Sequence, residues 1–373
     1  MNNGNVSNLG IVSLRGSIEL GCGIDRWIVN ERRRQGFENT PETFIIPITQ
    51  DRFANGEGKI ILNETARSRD IYIISDIGNH SCRYQLYGRS SRMGPDEHFQ
   101  DIKRAVAAIG GKAARVSVVM PMLYAARQDR NKGRESLDCA VAMQELERMG
   151  VKEIITFDVH NPTIQNAVPL VAFENLYATE QIVSALVADE SEMIANPDNM
   201  LVISPDLGGM ERAIYYSTIL NVNIGMFYKR RDYTKVEMGR NPILQHDYIG
   251  QDVSGKDVVI IDDMIASGES MVGIINELKG RGAAKVFVVA TFAMFTKGNE
   301  TFEKLYADGM LTRVYTTNLT YAPEEIVNAA WFRRVDLAPF TASVINNLNL
   351  NTSIADIVTS TGRLTEMIKE LRE

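Results

Sequence analysis

Apolar positions along this chain come in short runs, with helix-period patterns lying among them. Runs rich in β-branched residues stand at Phe44–Thr49, Ile71–Ser75, Val116–Met120 and Glu153–Phe157, and these predict strands. Glu97–Ala108 and Leu137–Met149 carry the spacing of amphipathic helices. After Pro169 the rhythm repeats. A helix is predicted at Ala178–Ala188, followed by strands at Leu201–Ser204, Ile224–Tyr228, Asp257–Ile261 and Val286–Thr291. Further helices are predicted at Gly268–Lys279, Thr301–Ala307 and Leu364–Leu371. The runs VVII and VFVVA are apolar at nearly every position, as strands covered on both faces require. The alternation predicts an α/β protein with two lobes of similar build, each on a mostly parallel sheet. The expected division is an N-terminal extension at 1–43, a first domain at 44–172 and a second at 173–373. Gly88–Pro95 and Tyr233–Gln245 read as polar loops.

Composition then removes several classes. The chain has 373 residues, 45% hydrophobic and 23% charged, which is enough apolar surface to exclude wholesale disorder. No apolar run approaches the length of a membrane span. The start, MNNGNVSNLGIVSLRGS, lacks the basic-then-apolar order of a secretory signal. A net charge of −7 argues against nucleic acid or an anionic membrane as partner. Cys22, Cys82 and Cys139 are odd in number and far apart, so neither a disulfide framework nor a thiolate zinc site is expected. The compartment they suggest is the cytoplasm. There is no G-x-x-x-x-G-K-[ST], no G-x-G-x-x-G after a strand, no H-E-x-x-H and no G-x-S-x-G. Phosphate, if handled, is handled without a P-loop.

The strongest remaining signal is VVIIDDMIASGES, Val258–Ser270. An apolar strand ends in two acids, and small residues then open a helix. Small residues let backbone N–H groups close around a phosphate, and a helix N-terminus favours the anion. Asp262 and Asp263 suit paired sugar hydroxyls, because ionised carboxylates only accept. The bland alternative is a strand-to-helix turn whose acids cap the helix.

Five weaker segments accompany it. In Tyr124–Arg130, YAARQDR, Arg127 can fork onto phosphate oxygens and Gln128 can read a base edge; taken alone it is as easily a solvated charge cluster. In Phe53–Glu57, FANGE, an aromatic beside polar and acidic residues can stack on a purine, or simply form a tight Asn-Gly turn. In Phe157–His160, FDVH, Asp158 and His160 share a face if the strand continues. ISPDLGGM carries Asp206, either a metal-side carboxylate or an N-cap for a helix from Met210. YKRRD sets Lys229, Arg230 and Arg231 after a strand, and three adjacent cations usually form a solvated face.

Together these motifs resemble one family. Val258–Ser270 resembles the phosphoribosyl-diphosphate loop of type I phosphoribosyltransferase folds, and the remaining segments narrow the likeness to the ribose-phosphate pyrophosphokinases. That resemblance covers about residues 45–360. It implies two tandem phosphoribosyltransferase-like domains. The activity implied is Mg2+-dependent transfer of a diphosphoryl group from ATP to ribose 5-phosphate. ATP would contact Arg127, Gln128 and Asp129, with Phe53, Asn55 and Glu57 reaching it from a neighbouring subunit. Ribose 5-phosphate would lie on Asp262, Asp263, Ala266, Ser267, Gly268, Glu269 and Ser270. His160 and Asp206 would stand at the magnesium, and Lys229, Arg231 and His160 would be catalytic. A homo-oligomer built from dimers, a hexamer by resemblance, is implied as well.

Some positions depart from the family pattern. Ala266 stands where Asp is frequent, Tyr233 where a further Arg is common, and Phe292 where T-H-x-x-F has His. Ser136 and Ala140 replace a usual Pro and Lys, and the chain is one residue shorter between Arg130 and Glu135. The alternatives to a synthetase are a phosphoribosyltransferase, which explains only Asp262–Ser270, and a non-catalytic regulatory homologue, which leaves Lys229, Arg231, His160 and Asp206 without a purpose.

Overall fold

The computed structural model describes residues 8–131, 133–231, 243–359 and 361–373, with the side chains of 229–231 and 243–246 outside that description. The chain divides into two units. The first holds Met1–Tyr177, Asn318–Tyr321 and Asp336–Thr359, and the second Ala178–Thr317, Ala322–Val335 and Ser360–Glu373.

Strands of the first unit are β1 (Leu9–Ser13), β2 (Ile48–Arg52), β3 (Gly58–Leu62), β4 (Asp70–Ile74), β5 (Arg83–Leu86), β6 (Arg89–Arg92), β7 (Arg115–Val119), β8 (Glu153–Phe157) and β9 (Ala172–Leu176). Five form a parallel sheet in the order β1-β4-β7-β8-β9. The pairs β2–β3 and β5–β6 are separate antiparallel hairpins. In the second unit, β10 (Met200–Ser204), β11 (Asn223–Arg231), β12 (Ile243–Ile249), β13 (Asp257–Ile265), β14 (Val286–Ala293), β15 (Arg313–Thr317) and β16 (Phe332–Val335) make one sheet. Its order is β12-β11-β10-β13-β14-β15-β16, parallel except for β12. Helices, in chain order, are α1 (Ile18–Arg34), α2 (Pro95–Ile109), α3 (Asp138–Arg148), α4 (Thr179–Asp189), α5 (Ser191–Ala195), α6 (Met210–Leu220), α7 (Glu269–Gly280), α8 (Glu300–Ala307), α9 (Glu324–Val327), α10 (Ala338–Asn349), α11 (Ala355–Val358) and α12 (Thr361–Arg372).

The local chemistry explains these elements. In β4, β8, β10 and β14 every residue is buried, which is why they read as continuous apolar runs. Helix α2 starts with Pro95, its Glu97 carboxylate accepts from the Gly94 N–H at 2.9 Å, and it stops at Gly110 with φ +60°. Phe99, Ile102, Val106 and Ile109 supply its buried stripe.

Some sequence expectations differ from the structure; the strand expected at Phe44–Thr49, for one, is observed at Ile48–Arg52. Residues 9–34 are no extension: β1 pairs in parallel with β4 from Leu9↔Asp70 to Ser13↔Ile74, and α1 packs on α10. Arg32 on α1 is buried; its Nε and Nη2 each donate at 2.7 Å, to Asn346 and Asn349, and its guanidinium lies 4.8 Å from the Phe44 ring centroid. The boundary at 172/173 falls inside the first unit, because Ala172–Leu176 extends that unit's sheet and α10 returns to it. Gly88–Pro95 is no loop. Arg89–Arg92 is a strand closing a hairpin through Tyr87 and Gly88, both with positive φ (48° and 75°), the geometry a two-residue turn needs. Of the expected loop Tyr233–Gln245, Ile243–Gln245 belong to β12 and residues 233–242 lie outside the described residues.

Candidate active site

In the second unit the three candidate segments leave neighbouring strands. Strand β10 pairs with β11 through Ser204↔Met226 and with β13 through Ile203↔Ile260. From β10 the chain goes to one side for β11 and β12, then crosses to the other for β13. The carboxyl ends of β10 and β13 therefore flank a topological switch point, where open α/β sheets bind ligands.

The strand predicted to end at Ile261 runs on to Ile265, so both acids belong to β13. Asp263 is buried and donates its N–H to Asp262 Oδ1 at 2.9 Å. Burial, then the charge and side-chain hydrogen bond of Asp263, hold the Asp262 carboxyl well above the usual range, while Arg212 on α6 pulls it down. Two adjacent carboxyls, one raised by burial and by the other's charge, favour a partner that donates hydrogen or brings positive charge. Beyond them, Gly268 adopts φ +83°, and a Cβ there would lie 2.5 Å from Phe302 Cε2. Only glycine fits both constraints. Phe302 is itself stacked on Trp331 at 5.6 Å, and both are buried. The segment after β14 straps the loop, with Met294 N–H donating to Ile265 O at 2.8 Å and Thr296 N–H to Ala266 O at 2.9 Å. Ser267 is half-buried, while Glu269 and Ser270 are exposed at the start of α7, Glu269 paired with Lys297 at 2.6 Å.

Asp206 caps the turn Leu207–Gly209. Its Oδ1 accepts from the N–H groups of Gly208 (2.9 Å) and Gly209 (3.3 Å), and α6 starts at Met210 as expected. The backbone of Lys229 and Arg231 lies in β11, opposite His246 and Ile243 of β12, with a register shift between Arg230 and Arg231. The shift leaves Leu244 of β12 without an opposite residue, so the extra residue belongs to β12. The side chains of Lys229 and Arg231 lie outside the described residues.

In the first unit, the YAARQDR segment follows β7 and FDVH follows the adjacent β8. Arg127 and Gln128 are exposed. Asp129 is turned inward: its Oδ2 pairs with Arg130 Nε at 3.2 Å and accepts from Asn161 Nδ2, and its side chain is only 10% exposed. Asn161 in turn accepts from the Thr163 hydroxyl at 2.8 Å. Asp129 thus ties the loop after β7 to the one after β8. The strand does not continue through Asp158, which takes φ +43° and is buried, while His160 is exposed; the two do not share a strand face. Phe53, Asn55 and Glu57 form the tip of the β2–β3 hairpin. Phe53 exchanges backbone hydrogen bonds with Glu57 and Gly56, both at 2.8 Å, and the Asn55 side chain accepts from the Glu57 N–H at 3.2 Å. The turn is tight, yet the ring is 55% exposed.

Sequence reading missed three residues here. Asp76, at the carboxyl end of β4, accepts from Gly78 N–H (2.9 Å), Thr320 Oγ1 (3.0 Å) and Tyr321 N–H (2.8 Å). Burial pushes its carboxyl up to about 7, against those three hydrogen bonds. The signal existed: ISD ends an apolar strand in an acid, as TFD, ISPD and IIDD do. Phe302 and Arg212 carried no such signal.

Residues 11–150 match the model of the N-terminal domain of ribose phosphate pyrophosphokinase, and 172–322 match that of the phosphoribosyl transferase domain. The first match starts inside β1, in agreement with the place of residues 9–34 in the sheet. The ribose-phosphate pyrophosphokinase of Vibrio cholerae is 28% identical over 311 residues, 82% of this chain and 89% of its own. That of Mycoplasmopsis pulmonis is 29% identical over 309 residues, 82% and 86% respectively. The crystal structure of phosphoribosylpyrophosphate synthetase from Mycobacterium smegmatis shares the fold, with TM-score 0.74 and 21% identity over 92% of this chain and 99% of that one. Two phosphoribosyltransferase-type α/β domains in tandem define the class. Within it, the chain belongs to the ribose-phosphate pyrophosphokinase family.

Proposed function

We propose that this enzyme transfers the diphosphoryl group of ATP to ribose 5-phosphate, giving AMP and 5-phospho-α-D-ribose 1-diphosphate. The observation that carries the reading is the loop after β13, a glycine-hinged turn opening α7 beside two adjacent carboxyls at a switch point. Ribose 5-phosphate sits with its phosphate on Ala266–Ser270 and its hydroxyls at Asp262 and Asp263. ATP is held by Arg127, Gln128 and His160 of the first unit, with Asp129 fixing their loop rather than touching the nucleotide. Phe53, Asn55 and Glu57 serve the adenine of another copy, in a homo-oligomer built from dimers; the exposed Phe53 ring supports this.

The anomeric oxygen attacks the β-phosphorus, a P–O bond forms there, and the bond to the α-phosphate oxygen breaks to release AMP. The hydroxyl proton passes to solvent water, and the electron pair of the broken bond stays on the α-phosphate oxygen of AMP. Lys229 and Arg231 stabilise the charge on the moving group. Among the described residues no three His, Cys, Asp or Glu cluster to hold a metal. Asp206 offers carboxylate oxygen, the ligand type Mg2+ prefers, and few protein ligands are needed because Mg2+ keeps water and substrate phosphates as most of its shell; His160, in the other unit, offers a ring nitrogen toward the nucleotide phosphates. Mg2+ at Asp206 would neutralise phosphate charge. Cys22, Cys82 and Cys139 are unpaired, which agrees with a cytoplasmic place.

AMP release from ATP that requires both ribose 5-phosphate and a divalent cation tests the reading. Lys229→Ala should lower kcat by about 10²–10³ with little change in KM. Turnover that survives removal of all divalent cations would count against it.

A further inference from the structure

The β5–β6 hairpin carries a charge arrangement that its packing does not call for. Its register sets Arg83 directly opposite Arg92, Gln85 opposite Ser90 and Leu86 opposite Arg89. Met93 N–H donates to Cys82 O at 2.8 Å, so the next pair along, Arg83 and Arg92, is of the non-hydrogen-bonded kind, in which side chains stand closest. Like charges directly opposite destabilise a ladder. Arg83, Gln85, Ser90 and Arg92 lie on one face by the strand period, and all four are exposed. Arg83 Nη1 donates to Ser90 Oγ at 3.3 Å. Among the described residues neither Arg83 nor Arg92 is in an ion pair.

The surroundings add to the positive field. Arg15 Nη1 donates to the Arg83 carbonyl at 3.2 Å. Arg52 and Arg104 both pair with the buried Asp101 at 2.6 Å, and together consume that carboxylate. Burial lowers the Arg52 pKa, and the charges of Arg104 and Arg15 lower it further. Glu97 approaches the hairpin only through Tyr84, on its other face, at 3.5 Å. Arg15 and Arg104 both act on the charge of Arg52, and Asp101 is the one carboxylate that pairs with Arg52 and Arg104.

We propose that this face of the hairpin binds a phosphate-type oxyanion, gripped by the Arg83 and Arg92 guanidinium groups with Ser90 and Gln85 donating beside them. A carboxylate has oxygens for one fork, whereas a tetrahedral dianion accommodates two. Its binding replaces repulsion across the ladder by attraction to a shared centre. The Ala266–Ser270 loop belongs to the other unit. The hairpin face also has a route to the nucleotide side. Tyr87 N–H donates to Ala54 O at 2.9 Å, and Leu86 Cδ1 lies where a Cβ on Gly56 would approach to 2.7 Å. An anion that steadies β5–β6 therefore steadies the Phe53–Glu57 turn.

Equilibrium dialysis of the full chain with radiolabelled inorganic phosphate, at constant ionic strength, tests this. Arg92→Glu creates a cross-strand ion pair with Arg83, so the hairpin keeps its fold while the site loses its charge. The expected result is one phosphate fewer bound per chain than in the native protein, or at least ten-fold weaker binding at that site. The thermal midpoint in phosphate-free buffer should be unchanged or higher. Arg83→Gln should show the same loss. Because the readout is a difference of one site, it holds whether or not the Ala266–Ser270 loop also binds phosphate. Competition by tripolyphosphate far stronger than by phosphate would assign the site to a nucleotide's phosphate chain, and equal competition to free phosphate; either supports it. Native stoichiometry and affinity in both variants would overturn it.

Discussion

The loop after β13 and the tip of the β2–β3 hairpin, the segments proposed for the two substrates, are built in opposite ways. Gly268 rests on Phe302, which is stacked on Trp331, and both rings are buried among Phe295 and Phe332. Among the described residues Trp331 Nε1 has no hydrogen-bond partner in that packing. Phe53, by contrast, stands 55% exposed on a two-stranded hairpin, and Tyr87 beside it is 78% exposed. A two-stranded hairpin has little stability of its own. The loop proposed for the sugar phosphate is thus preorganised by a core, and the turn proposed for the adenine is held by neighbours it must borrow. Mutations at the first should damage folding and function together, and at the second function alone.

The largest effect is expected at Gly268. Gly268→Ala meets both the left-handed backbone cost and the Phe302 ring, and should destabilise by about 2–4 kcal/mol. Urea unfolding measures this, and KM for ribose 5-phosphate should rise in the same variant. Phe302→Leu should follow, at about 1–3 kcal/mol, with KM for ribose 5-phosphate raised and KM for ATP unmoved. Equal changes in both KM values would mean the ring supports the whole fold and not the loop.

Asp76 sharpens the comparison, because it shows that the first unit also has a buried polar centre. Its folded carboxyl titrates at about 7, above the unfolded value near 3.9. Between those values the folded state holds a proton that the unfolded state has lost. Stability should therefore fall as pH rises from about 4 to 7, by up to about 1.4 kcal/mol per unit, and level off above. Urea midpoints across that range measure the slope, and Asp76→Asn should remove it. The smallest stability effect belongs to Phe53. Phe53→Ala should change stability by under about 0.5 kcal/mol while raising KM for ATP; a loss of several kcal/mol would mean the ring is structural.

How much of this was legible in the sequence follows from which force fixed each part. Strands buried on both faces announced themselves, and Glu153–Phe157 was predicted at its observed limits. The strand ends that carry Asp262, Asp206 and the RQDR segment were legible because acids and small residues interrupt an apolar run. Strand β1 and helix α1 were not, since LGIVS is short and the arginines of α1 look solvated until Asn346 and Asn349 are brought to Arg32 by α10. The β5–β6 hairpin was missed because its turn is Tyr-Gly and not Asn-Gly. Phe302 beneath Gly268 is a long-range contact between residues 34 positions apart, which no local pattern encodes.

The central claim, that a diphosphoryl group moves as one piece, is tested most directly by 31P NMR of the native protein turning over ATP and ribose 5-phosphate with Mg2+. The predicted spectrum shows AMP appearing in step with a diphosphate ester, its two phosphorus resonances coupled, and no ADP. Accumulation of ADP with a sugar bisphosphate would place the attack on the γ-phosphorus and contradict the account.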